Sequence, residues 1–231
     1  MGRLRTLVYA AGLVASPLMF AMYWVLYPAY GDLRAADLVA DIGSAPGRAQ
    51  VADAFAFVAV FLAVPGALAY LRVLVARSPR LARIGCALTI TGWIAVLVLL
   101  MTDVAARELA ARPELFVALY GSPEVTVLSV LAALHIVGGV VIGVALVRSR
   151  LVRRPLAVAA TLAPVVHLAS NLAGLLWIDV ACWVVLAVTG VVVLPRLTRL
   201  VAADEAVLRG EQGGGGPGTD SDLGVHVLHV T

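Results

Sequence analysis

Lysine is missing from this 231-residue chain, and all 17 basic residues are arginine. Chemistry that runs through a lysine amine, such as a Schiff base to retinal or pyridoxal, therefore has no residue to run on. Charge of either sign is scarce. Asp, Glu, Lys and Arg make up 13% of the chain, against about a quarter in a soluble domain. There are two cysteines, Cys86 and Cys182, both inside apolar runs. They read as small buried hydrophobes, or as a disulfide only if their helices are close and the site oxidising. No P-loop, nucleophile elbow or HExxH occurs. No domain-sized polar segment occurs either. These shortages exclude a doubly wound nucleotide-binding domain, a nuclease and a soluble enzyme carried on a membrane tail.

What the chain has instead is apolar residues, 62% of the total, more than so small a protein can hide from water. A bilayer-crossing helix needs about 20 mostly apolar residues. Runs of that kind lie at about 7–27, 54–74, 81–101 and 125–147. The stretch from Leu156 to Leu194 is nearly unbroken and as one helix would be about 60 Å long, twice a hydrocarbon core. It therefore reads as two spans, about 156–176 and 180–197. Asp179 beside Trp177 marks the turn at about 177–179, with Asn171–Gly174 as the competing position. The fold expected is all-α: a six-span transmembrane bundle over residues 1–200, with a flexible tail at 201–231. Arg3 and Arg5 before the first run also resemble a signal-peptide start. That run is too long for an ordinary signal, however, and ends in Tyr27, Pro28 and Tyr30 rather than small residues.

The net charge of +3 resolves by position. Thirteen arginines flank one side of the spans: Arg3 and Arg5, the links holding Arg72–Arg83 and Arg148–Arg154, and the region after the last span. Arg34, Arg48, Arg107 and Arg112 fall on the other, with nine of the 14 acids. By the positive-inside rule the protein lies in the cell membrane with both termini cytoplasmic. The basic balance is then a topology signal and not a nucleic-acid footprint. On the outer side, residues 28–53 read as a mixed loop and 102–124 as a loop with a short amphipathic helix. Residues 198–209 extend the last helix, Gly213–Gly216 make a linker, and His226 and His229 near the end are a two-ligand metal candidate.

Ionisable groups within spans are costly and are functional hypotheses by default. His135 and His167 fall near mid-membrane at similar depth. Asn171 follows His167 at i+4 on the same face. The two imidazoles fit interhelical hydrogen bonding, a proton relay or catalytic base, or the axial ligation of a b-type haem. Otherwise no cofactor is expected. A second set, Asp53, Asp103, Glu124 and Asp179, brings a carboxylate to one outer depth from four spans, with Tyr27, Tyr30 and Trp177 at the same level. These are ordinary interfacial helix ends or, if they converge, an acid that protonates a lipophilic substrate or a site that binds a cation. Asp32 is a further candidate. Gly139 and Gly143 form a GxxxG packing face, and Pro17, Pro65 and Pro164 bend their helices.

The basic RTL start, the SRLVRRPL link and the short polar tail resemble uncharacterised six-helix membrane proteins of actinobacteria, across all six spans. That resemblance assigns no residue a role. In size the chain is also similar to the small integral-membrane terpene cyclases, which are usually seven-helix proteins with membrane-embedded acids. Three classes follow: an enzyme on an isoprenoid or lipid-like substrate, an accessory or immunity protein without catalysis, and a small-molecule or ion transporter. The partners expected are membrane lipids or a lipophilic small molecule, with a homo-oligomer or another membrane protein as further options.

Overall fold

The computed structural model describes residues 2–32 and 34–213. Among these, every regular element is a helix. Six helices are long and apolar enough to cross a membrane: α1 (Arg3–Leu26), α3 (Pro46–Leu74), α4 (Pro79–Glu108), α6 (Pro123–Ser149), α7 (Arg154–Leu172) and α8 (Leu176–Gly213). Two short helices, α2 (Ala35–Ser44) and α5 (Pro113–Tyr120), lie between the first and second and the third and fourth spans. Large apolar side chains on the outside remain exposed, among them Phe61, Ile94, Val130 and Leu162. Such a surface is stable only in lipid. The chain is an integral, multi-pass membrane protein.

The helix boundaries differ from those expected, mainly because of proline. Five helices, α3 to α7, carry Pro in their first turn. There its missing N–H leaves no intrahelical bond unmade. Pro46 thus starts α3 well before residue 54, and Asp53 sits two turns inside the helix rather than at its mouth. The amphipathic segment expected over 102–124 is divided: its first part continues α4 to Glu108, and Pro113 opens α5. The turn between the fifth and sixth spans falls at 173–175, the competing position, and not at 177–179. Gly174 there has φ +67°, a conformation glycine adopts without strain. Asp179 consequently lies in the first turn of α8. That helix runs on to Gly213, past the region expected to extend it. The rest of the expected linker, with His226 and His229, lies outside the described residues.

The spans pack in chain order, α1 on α3, α3 on α4, α4 on α6, α6 on α7 and α7 on α8, and α8 returns to α1. The result is a closed ring of six around a central space. Short links make consecutive helices neighbours, and glycines set how closely they approach. A Cβ on Gly12 would lie 2.3 Å from the backbone nitrogen of Gly66, and one on Gly190 would lie 2.2 Å from the Leu13 carbonyl oxygen. Gly143 and Gly139, the expected packing face, meet Thr161 and Pro164 of α7. One end of the ring carries the arginine-rich links. The other, the acidic end, is covered by α2 and α5, whose Ile42 and Phe116 are fully buried. Cys86 and Cys182 are both buried free thiols.

Candidate functional site

Five spans each contribute a ring to a closed aromatic collar across the central space. Phe20 of α1 stacks on Trp93 of α4 at 4.6 Å between centroids and on Trp183 of α8 at 4.8 Å. Trp93 packs on His135 of α6 at 4.4 Å, and Trp183 meets His167 of α7 edge-on at 4.8 Å. The circuit closes between the two histidines, 6.4 Å apart. Both imidazoles are thus brought together from adjacent helices, as their depth implied.

Each histidine is held through Nδ1. Helix α6 breaks at Ala133, where the Ile136 N–H bonds the Ala133 carbonyl instead of the Ala132 carbonyl one residue earlier. The freed Ala132 carbonyl oxygen lies 2.5 Å from His135 Nδ1. His167 Nδ1 lies 2.5 Å from Asp179 Oδ1. Asp179 is fully buried, and its other oxygen accepts the Tyr30 hydroxyl at 3.1 Å. An Nδ1–H donated to a carbonyl or carboxylate fixes the tautomer and leaves Nε2 as the nitrogen open to a ligand.

The carboxylates divide by hydrogen-bond partner instead of forming one ring, although Asp53 and Arg107 also act electrostatically on Asp103. Asp179 belongs to His167. Asp103 accepts the Tyr23 hydroxyl at 3.1 Å and the Tyr27 hydroxyl at 2.9 Å. Asp53 pairs with Arg107 at 2.6 Å, its second oxygen buried without a partner. Glu124 is exposed at the start of α6 and joins none of them. Its position in the first turn leaves it on the helix rim, where its charge is solvated. Trp177 is 73% exposed and faces away from the site, because the earlier turn places it on the outer surface of α8.

Two cavities share the collar. The first, about 270 Å³, lies toward the acidic end and is lined by Tyr23, Tyr27, Asp32, Asp103, Tyr120 and Asn171. The second, about 120 Å³, lies toward the arginine-rich end. Its wall is small and apolar, with Gly12, Ala63, Gly66, Gly139, Ile142 and Pro164. Trp93, His135, His167 and Trp183 line both. Burial and the Asp103 charge push the Tyr27 hydroxyl well above its ordinary pKa, and burial and Asp179 push Tyr30 up. Both remain hydrogen-bond donors at neutral pH. Burial, reinforced by the nearby Asp41, raises the Asp32 carboxyl.

No family model, curated protein or solved structure matches this chain. Its function has to be read from the site itself. Among the described residues no three His, Cys, Asp or Glu side chains gather as metal ligands. Phe20, Tyr23, Trp24, Trp93 and Trp183 were not singled out by sequence reasoning. The available signal was the depth of Trp93 and Trp183, well inside their apolar runs and away from the interfaces where tryptophan ordinarily sits. For Tyr23 it was the i, i+4 spacing with Tyr27, which puts both hydroxyls on one helix face.

Proposed function

We propose that the protein is a membrane-embedded enzyme that acts on a lipophilic, isoprenoid- or lipid-like molecule by acid–base chemistry. The observation that carries this reading is the His167–Asp179 pair set in the wall between a polar and an apolar cavity. Asp179 holds the imidazole by Nδ1, so that Nε2 takes a proton from, or returns one to, a substrate spanning the collar. Asp103, with its two tyrosines, supplies the second titratable group of the polar cavity. In this reading the arginine-rich end faces the cytoplasm, the site opens to the outer leaflet, and the apolar cavity receives the substrate's hydrocarbon part. A b-type haem between His135 and His167 draws no support from the collar, since Trp93 packs against His135 and Trp183 against His167; visible absorbance of the purified protein decides it.

The test is organic extraction of the purified protein followed by mass spectrometry, for the wild type and His167→Gln. A general acid–base group contributes about 10²- to 10⁴-fold to a rate, so the variant is expected to retain unconverted substrate and the wild type its product. If both carry the same compounds in the same proportions, the enzyme reading fails. A carrier is the second reading. It is favoured by Pro17 and Pro164, which line the apolar cavity and lie within spans that proline makes bendable. Uptake into proteoliposomes, with no change in the compound carried, would establish it.

A further inference from the structure

The cavity on the acidic side has a one-sided charge. Asp32 and Asp103 are in its wall, and no arginine is. Two arginines outside the wall act on these carboxylates, Arg107 on Asp103 and Arg34 on Asp32, but each is itself paired with another acid, Arg107 with Asp53 at 2.6 Å and Arg34 with Asp37 at 2.6 Å. Oδ2 of Asp32 is buried, and the side chain's neighbour is a second carboxyl, Asp41. Asp103 accepts two hydroxyl protons, which satisfy lone pairs and bring no positive charge. The remaining wall is rich in aromatic rings, with Trp24, Tyr27 and Tyr120 joining the collar's two tryptophans.

Carboxylates and ring faces attract the same kind of ligand, because both present negative potential. A phosphate or carboxylate head is repelled by such a wall. A bare metal ion is poorly served too, since hard cations require several oxygen ligands rather than rings. We propose that this cavity binds a lipophilic organic cation, a protonated amine or quaternary ammonium. Its charge sits between Asp32, Asp103 and the surrounding rings, and its apolar end points through the collar into the smaller cavity. The volume of about 270 Å³ lies near the lower end of small-molecule sites and accommodates a compact head. This deepens the acid–base reading by naming the charged end of its substrate, and it rests on that reading only for what happens to the ligand after binding.

The probe is benzyltrimethylammonium, titrated calorimetrically into the full-length protein in a non-ionic detergent. Its neutral isostere, neopentylbenzene, is the control. The expected result is saturable binding of the cation at one site per chain, with the isostere unable to compete. Asp32→Asn and Asp103→Asn are each expected to weaken the cation about tenfold, as loss of one partially desolvated charge contact implies. Asp32 lies outside the spans, so its variant tests the site even if Asp103→Asn does not fold. Equal affinity for the isostere, wild-type affinity in Asp32→Asn, or no saturable binding overturns the proposal. The two readings fail separately. Cation binding with identical extracts from the wild type and His167→Gln removes the enzyme alone. Distinct extracts without cation binding remove the cation site alone.

Discussion

The two halves of the bundle are built from different material. Toward the arginine-rich end the core is aliphatic: Leu13, Val73, Leu74, Ile142, Leu146 and Leu197 pack with alanines. Toward the acidic end it is aromatic, with Phe20, Tyr23, Tyr27, Trp93, Phe116 and Trp183. Among the described residues the buried aspartates, Asp53, Asp103 and Asp179, lie on that aromatic side or at its edge. An aliphatic core needs only shape, and dispersion between closely fitted surfaces holds it. A core with buried carboxylates must also provide a donor for each, because an unpaired charge in lipid is far costlier than a missing methyl group. A bundle that had only to be stable would gain by making both halves alike. The concentration of buried carboxylates in one half is what the proposed site rests on.

The sharpest break in this comparison is Asp179→Ala. It removes the acceptor of both His167 and Tyr30, and each buried donor left unsatisfied costs about 1–3 kcal/mol. Thermal unfolding in detergent should show the largest loss of any variant considered, while Asp179→Asn, which keeps an acceptor oxygen, should recover much of it. If alanine and asparagine are equally tolerated, the polar half is not held by its hydrogen bonds. Tyr27→Phe comes next. It deletes one donor to Asp103 and leaves the ring, so about 1.5–3 kcal/mol is expected for a hydrogen bond to a charged group. The aliphatic half offers no equivalent, since its core side chains have no such bond to lose.

How legible these halves were in the sequence follows from what made each of them. The six spans rest on composition and length alone, and both are local properties. The pairing of His135 with His167 was legible as well, since each depth can be counted from a charged end and the short link makes their helices neighbours. The convergence of Asp53, Asp103, Glu124 and Asp179 was not. Equal depth says nothing about azimuth, and azimuth sends Glu124 outward while Asp179 turns in against His167. The turn before α8 was misplaced for a related reason. A charged residue looked like an interface marker, whereas the chain reverses at Gly174 and Asp179 is fully buried by tertiary partners that no local pattern announces. The collar was the least visible feature, being made of five single residues on five helices.

Backbone proximity gives a way to sharpen the aliphatic side. Gly12→Ala places a Cβ against the Gly66 backbone, which cannot move aside as a side chain would, and about 1–3 kcal/mol of destabilisation is expected from such overpacking. Gly47→Ala is the matched control. Nothing lies within 4 Å of a Cβ there, and in this first turn alanine is expected to gain part of the about 0.5–1 kcal/mol it gains over glycine in a helix interior. Opposite signs in unfolding midpoint are the expected outcome. Two losses of equal size would mean that helix crossing distance is not what Gly12 sets.

The smallest effect has the opposite sign from the other changes on the acidic side and bears most directly on function. Burial and the neighbouring Asp41 raise the Asp32 carboxyl above its ordinary pKa, so the folded protein holds that proton more tightly than the unfolded chain. The unfolded state then binds fewer protons, and this group's contribution to stability falls as pH rises. The loss begins as pH passes the unfolded value, about 4, and is complete above the raised folded value. Asp32→Asn removes that term. Its unfolding midpoint should match the wild type below about pH 4 and exceed it slightly at pH 7, in the reverse order to Tyr27→Phe. A residue that lowers stability at neutral pH, and whose removal also weakens the cation, serves the ligand and not the fold. A midpoint at pH 7 below that of the wild type would instead make Asp32 a structural partner of the acidic end and remove that contrast.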